Sequence, residues 1–218
     1  MKFSLYGYWR SSSSWRVRLA LAHKGIPYTY IPVHLVDGGG QQHSTTFSAK
    51  NPMHQVPLLE VEAASGATHQ IAQSMAIIEL LEEVVPTPSI WPVEPFDRAR
   101  ARELAELVNS GIQPLQNLAV IQHLRDELGL DASAFCSMWI ARGLEAYRRR
   151  CEETRGVFSV GDSVSVADFC LVPQLYNARR FKVDLSPFTA LLEIESACEA
   201  LESFQAAHPD AQPDRPEP

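Results

Sequence analysis

No stretch of the chain approaches the ~20 consecutive apolar residues that a membrane-spanning helix needs, so no membrane span is expected. The N-terminus lacks the basic-then-apolar plan of a secretory signal. No block of lysine or arginine stands out, and the formal net charge is −7. Nucleic acid and anionic membrane surfaces are therefore not expected as partners. Cysteine is sparse: Cys136, Cys151, Cys170 and Cys198 are the only four, and they show no metal-ligand spacing. All four fall in stretches that read as helical, so the expectation is buried, reduced thiols in a cytoplasmic protein with no metal site. None of the 7 histidines has an evident partner in the sequence.

What is present is an ordinary globular composition, 45% hydrophobic over 218 residues. That length allows one large domain or two small ones with a sizeable core. The most informative stretch is Arg10-Ser11-Ser12-Ser13-Ser14-Trp15-Arg16-Val17-Arg18, which continues to Gly25. An apolar start (Phe3, Leu5, Tyr6, Tyr8) runs into four serines and then into a good helix former. Serine is a strong N-cap because its oxygen accepts an otherwise unpaired amide hydrogen. Gly25 suits the left-handed residue just beyond a helix end. The reading is strand, polar turn, helix. A helix start carrying free amides, partial positive charge and hydroxyls favours a bound anion.

Residues 28–33 are rich in strand formers, and Pro32 argues for an edge or strand-end position. The glycines at 38–40 suggest a mobile connector that lets backbone approach a ligand closely. A short helical piece at 44–49 follows. Val56-Pro57 leads into a strand at 58–62, and Gly66 marks a hairpin that returns through 68–71. Ser74 reads as the N-cap of a helix with apolar residues at 77, 78, 80, 81 and 84. Residues 1–84 thus form a β-α-β-α-β-β-α domain, an α/β unit with one parallel pair and one antiparallel hairpin.

Residues 85–94, dense in proline, read as a linker. Beyond it the pattern is helical through 207. One long stretch at 97–124 is broken near Pro114, and a second helix covers 131–153. Ser165-Val166-Ala167-Asp168 is a capping-box signature opening a third helix to about 181, in which Asp168 fixes the helix start. A fourth covers 187–204. Residues 208–218, proline-rich and nearly devoid of apolar side chains, are expected to be extended or disordered.

In order along the chain, these features resemble the zeta class of glutathione transferases, whose members include maleylacetoacetate isomerase. The matching segments are Ser11-Ser12-Ser13-Ser14-Trp15-Arg16-Val17-Arg18, Gly40-Gln41-Gln42, Asn51-Pro52-Met53, Gln55-Val56-Pro57, Gln73-Ser74 and Gly111-Ile112-Gln113-Pro114-Leu115-Gln116-Asn117. Val160-Gly161-Asp162, Arg180-Phe181-Lys182-Val183-Asp184-Leu185 and Gln212-Pro213-Asp214 extend the likeness to the end of the chain. The resemblance implies a thioredoxin-like α/β domain followed by an all-α domain, glutathione as cofactor, and a homodimer. One departure stands out: Ser13 occupies the position where the class usually has cysteine. Bacterial maleylpyruvate isomerases, similar relatives, also lack that cysteine.

The chemistry implied is cis–trans isomerisation of maleylacetoacetate to fumarylacetoacetate. A carbon–carbon double bond turns readily once a thiolate adds to it and makes it single. With no cysteine at the first helix start, the thiol must come from a bound cofactor. Lowering a free thiol's pKa by ~2 units requires ~2.7 kcal/mol of preferential thiolate stabilisation. A helix N-terminus supplies roughly 0.3–2 kcal/mol and a charge-assisted hydroxyl bond roughly 1.5–3 kcal/mol. Ser11 is the candidate hydroxyl donor, and Ser12 and Ser13 shape the anion hole. The family pattern assigns Gln42, the Val56 backbone before Pro57, Gln73 and Ser74 to the tripeptide, with Gln113 and Asn117 as further amides four apart on one helix face. A diacid substrate calls for arginine forks, and the candidates are Arg10, Arg16 and Arg180, of which Arg180 matches the family's substrate-side arginine. Maleylpyruvate isomerisation, dehalogenation or conjugation of small haloacids, and a non-catalytic binding module are the alternatives.

Overall fold

The computed structural model describes residues 1–216; the last two residues of the 208–218 segment lie outside them. Two units are present. One comprises residues 1–89 together with those from Leu201 onward, and the other is Ile90–Ala200.

In the first unit β1 (Lys2–Gly7), β2 (Tyr28–Pro32), β3 (Leu58–Glu62) and β4 (Thr68–Ala72) form one sheet in the order β2-β1-β3-β4. β1 and β2 run parallel, with Leu5 opposite Tyr30. β1 and β3 run antiparallel, with Leu5 opposite Leu59, and β3 pairs with β4 as a hairpin. The parallel pair needs a crossover, which α1 (Ser12–His23) supplies. Period-2 alternation turns Phe3, Leu5 and Gly7 of β1 inward. β2 is an edge strand, which accommodates Pro32 at its end.

The short helix α2 (Thr45–Ser48) precedes β3, and α3 (Ser74–Val84) follows β4. α3 buries Ile77, Ile78 and Leu81, the face that the 3.6-residue spacing selects. α1 is buried on nearly every side, with Val17, Leu19 and Leu21 fully enclosed. Each such side chain contributes roughly 1.5–3 kcal/mol of burial free energy. Gly25 ends α1 with φ +63°, as its position after the helix suggested.

The second unit contains α4 (Pro95–Asn109), α5 (Leu118–Gln122), α6 (Ala132–Cys151), α7 (Val166–Arg180) and α8 (Thr189–Glu199). α4 packs against α7 and α6. The break expected near Pro114 is a 3-10 turn, Gln113–Gln116. The capping box at α7 is formed: buried Asp168 accepts from Ser159 N at 2.9 Å, Ser165 N at 2.8 Å and Ser165 Oγ at 3.2 Å.

Two expectations are corrected. The single helix expected over 187–204 is two, because Leu201 is extended (φ −82°, ψ 134°) and α9 (Glu202–Ala207) starts afresh after it. α9 belongs to the first unit, beside α1. Residues 208–216 are ordered rather than extended. Pro209–Ala211 is a 3-10 turn, and buried Gln212 donates through Nε2 to the carbonyls of Ala206 (3.2 Å) and His208 (2.9 Å). Composition alone suggested disorder; the contacts that fix this segment reach residues some two hundred positions away.

Candidate active site

Strand register gathers the loops of the first unit at one end of the sheet. Tyr6 lies opposite Leu58, Leu58 opposite Ala72, and Gly7 opposite Pro32. The turn entering α1, the turn before β3, the β4–α3 junction and the stretch after β2 all open there. A buried cluster of Tyr8, Val33, Phe47, Val56 and Leu58, flanked by Trp9, Leu35 and Ala72, packs beneath them.

At the α1 start, Ser11 is the N-cap (φ −67°, ψ 117°), and its Oγ accepts from Ser14 N at 3.2 Å. Ser11 O accepts from Trp15 N at 2.9 Å. The amides of Ser12 and Ser13 meet no protein acceptor among the described residues. Ser11 and Ser13 are half-buried, whereas Ser12 and Ser14 are buried. Two amide donors, a helix dipole and the Ser11 hydroxyl lie together at this helix start, an arrangement that favours an anion without a charged base.

The second helix start differs from the expectation. Gln73, not Ser74, occupies the cap position of α3, at φ +72° and ψ 117°, and it offers no side-chain cap. Ser74 is the first helical residue. A non-glycine residue at positive φ costs of order 1–3 kcal/mol, which tertiary packing must offset. With no side-chain cap from Gln73, this helix start suits a carboxylate. Ser74 Oγ accepts from Arg16 Nη1 at 3.4 Å. Arg16 was expected as a substrate-facing cation, but it is completely buried. Its position one turn into an enclosed helix aims it at α3, so it links the two helix starts.

The glycine stretch expected to be mobile is folded into two 3-10 turns, Asp37–Gly39 and Gln41–His43. His34 N donates to Gln41 Oε1 at 2.8 Å, and Gln41 N donates to His34 O at 2.7 Å. Gly40 sits at φ +94°, where a Cβ would lie 2.4 Å from the Gln42 amide, so only glycine fits. Gln42 is buried; its Nε2 donates to Leu35 O at 3.1 Å, while its Oε1 has no partner among the described residues. His54, absent from the sequence-derived set, joins this loop to the next turn. Its Nδ1 lies 3.2 Å from Gln42 O and 2.9 Å from Ser48 Oγ. Buried Asn51 donates to Gln55 O at 2.7 Å and steadies the turn that ends in Val56-Pro57, a cis peptide bond.

Arg10 is half-buried and stacks on the Trp9 ring at 5.2 Å. The remaining expected residues lie in the helical unit. Gln113 is half-buried in the 3-10 turn. Asn117 does not share a helix face with it: its backbone is extended, and its Oδ1 caps α5 by accepting from Ala119 N at 3.1 Å. An asparagine after a proline-bearing turn starts a new helix rather than continuing the old one. Arg180 is exposed near the end of α7, over the Phe181 ring at 5.2 Å. Its neighbour Arg179 is held by Glu195 at 2.6 and 2.5 Å. All four cysteines are free and buried. Burial pushes the Cys151 thiol up to about 11 and raises those of Cys136 and Cys198. The raised values of Cys136, Cys151 and Cys198 disfavour their thiolates at neutral pH, and no cluster of metal-binding side chains occurs among the described residues.

Residues 1–83 match the model of the glutathione S-transferase N-terminal domain. Rat maleylacetoacetate isomerase is 47% identical over 97% of this chain and 94% of its own length. A maleylpyruvate isomerase of Ralstonia is 42% identical over 96% and 98%. The crystal structure of maleylacetoacetate isomerase from Anaeromyxobacter dehalogenans with bound GSH has a TM-score of 0.91 and 51% identity, covering 99% of this chain and 98% of that one. The same protein was also solved with dicarboxyethyl glutathione and citrate in its active site (TM-score 0.90, 49% identity, 99% and 98% covered). With near-complete coverage on both sides at such identity, the chain belongs to the zeta-class glutathione transferases, the family of the maleylacetoacetate and maleylpyruvate isomerases.

Proposed function

We propose that this protein is a glutathione-dependent cis–trans isomerase that converts maleylacetoacetate to fumarylacetoacetate. The observation that carries the reading is a hydroxyl-lined helix start with two unmatched amides, in a chain whose own thiols are all buried. The residues present fit glutathione. The α1 start suits a thiolate, the uncapped α3 start suits a carboxylate, and the unpartnered Oε1 of Gln42 suits an amide donor.

Bound glutathione supplies the thiol that, once ionised, adds reversibly to the activated alkene and lets the bond turn. The chain's contribution is electrostatic and positional. Ser11 donates its hydroxyl hydrogen toward sulfur, and the amides of Ser12 and Ser13 favour the anion. Gln42, the Val56 backbone at Pro57, Gln73 and Ser74 hold the tripeptide, with Gln113 a further amide for the same ligand. Arg16 holds Ser74 in place. Arg10 and Arg180 are the cations for the substrate carboxylates. A donor set held in place before reaction stabilises developing charge without reorganisation.

Maleylpyruvate is the second reading, favoured by Ser13 in place of the class cysteine and by the Ralstonia relative. A homodimer in the cytoplasm completes the proposal; four free, buried cysteines suit a reducing compartment. The test is to follow loss of the cis alkene by ultraviolet absorbance with each acid. Glutathione-dependent turnover, faster with maleylacetoacetate, is expected. Faster turnover of maleylpyruvate establishes the second reading, and no turnover of either acid rejects both.

A further inference from the structure

The C-terminal segment reaches the turn that carries Ser11. Asp214 Oδ2 accepts from Trp9 N at 2.9 Å and from Tyr30 OH at 3.2 Å. Arg18, fully buried, donates through Nη2 to Trp9 O at 2.9 Å, through Nη1 to Tyr8 O at 3.4 Å and through Nε to Ala207 O at 3.1 Å. The Trp9 residue is thus held at both its N–H and its C=O. Tyr8 O also accepts from Ser11 N at 3.0 Å, so the restraint passes directly to the N-cap. Gly7 makes this approach possible: a Cβ there would lie 2.9 Å from the Tyr30 ring. The segment is itself anchored, because Gln212 is buried and the His208 ring meets the Trp15 ring edge-on at 5.2 Å.

We propose that Asp214 is a positioning residue: through the Trp9 amide it fixes the backbone of residues 8–11 and hence the direction of the Ser11 hydroxyl. This rests on the assignment of Ser11 as the thiolate's hydroxyl donor. Asp214 is 205 positions from Trp9, so the chain end completes a site encoded at the chain start. The sign of the effect separates positioning from charge. Removing a nearby carboxylate lowers a thiol's pKa by relieving like-charge repulsion, whereas misdirecting a donor raises it.

The test compares wild type, Asp214→Ala and Asp214→Asn, the last retaining an acceptor for the Trp9 amide. Hydrogen exchange of free protein over residues 8–14 is expected to quicken several-fold in Asp214→Ala and to stay near wild type in Asp214→Asn. The pKa of the enzyme-bound glutathione thiol, titrated by thiolate absorbance, is expected to rise by about one unit in Asp214→Ala, with about a threefold loss of rate at pH 7 for a thiol held near ~6.5. Unchanged exchange at residues 8–14 overturns the proposal, as does a thiol pKa that falls. If Asp214→Ala does not fold, wild-type exchange and thiol pKa in Asp214→Asn support the proposal, and disturbance of both in that variant overturns it. A wild type that turns over neither acid defeats the functional reading alone, since the exchange measurement still decides the positioning claim.

Discussion

Replacing Ser11 perturbs two separable things. The hydroxyl caps α1 through its lone pair, accepting from Ser14 N at 3.2 Å, and its hydrogen remains available to an anion. Loss of the cap in Ser11→Ala costs ~1 kcal/mol, whereas glycine at an N-cap costs only a few tenths. For a chain of this size ~1 kcal/mol corresponds to roughly 2–4 °C in Tm. Loss of the donor to a charged acceptor costs a further ~1.5–3 kcal/mol in thiolate stabilisation, about 1–2 pKa units. A thiol held near ~6.5 would move to about 8, and its ionised fraction at pH 7 would drop from about three-quarters to about one-tenth. The assay is turnover against pH for wild type, Ser11→Ala and Ser11→Gly. Both variants should lose roughly tenfold near pH 7 and recover much of it above pH 9, while only Ser11→Ala loses Tm. Pre-ionisation of the thiol at high pH then replaces what the hydroxyl did. Variants that keep the wild-type pH profile would refute the assignment of Ser11.

Other consequences follow from burial and charge. Thiol reagents at pH 8 should label the folded protein slowly and leave activity intact, because burial keeps Cys151 protonated up to about 11; rapid labelling with loss of activity would contradict this. Asp168→Ala strips three donors of their buried acceptor and should cost ~3 kcal/mol or more, read as a lower urea midpoint. Burial, helped by the Lys24 charge and opposed by Glu82, holds the His23 imidazole below its usual 6.5. The unfolded chain therefore takes up the proton first, so this contribution is complete above pH 6.5 and fades as pH falls through the folded value. His23→Gln should flatten the stability–pH curve in that window, and an unchanged curve would count against it.

Much of the fold was legible because its signals are local. The serines before α1, Gly25 after it, the prolines at 32, 57 and 114, and the Ser165/Asp168 box each act within a few residues, and each marks a boundary the structure has. What escaped depends on distant partners. The backbone of Gln73 at positive φ follows from its place between β4 and α3, not from glutamine's own preference. Arg16 read only as a substrate-facing cation, because nothing nearby in sequence announces that α1 is enclosed. Residues 208–216 looked disordered by composition, yet Asp214 and Gln212 find their acceptors and donors across the first unit. His54 carried no motif, and only the fold brings it to Gln42.

The central claim is that the chain's own side chains and amides activate a thiol they do not possess. Its most direct test is the rate of cis–trans isomerisation of maleylacetoacetate with glutathione, with S-methylglutathione, and with neither. Turnover with glutathione alone is the predicted result. Isomerisation at an undiminished rate with the methylated tripeptide, or without any, would contradict it.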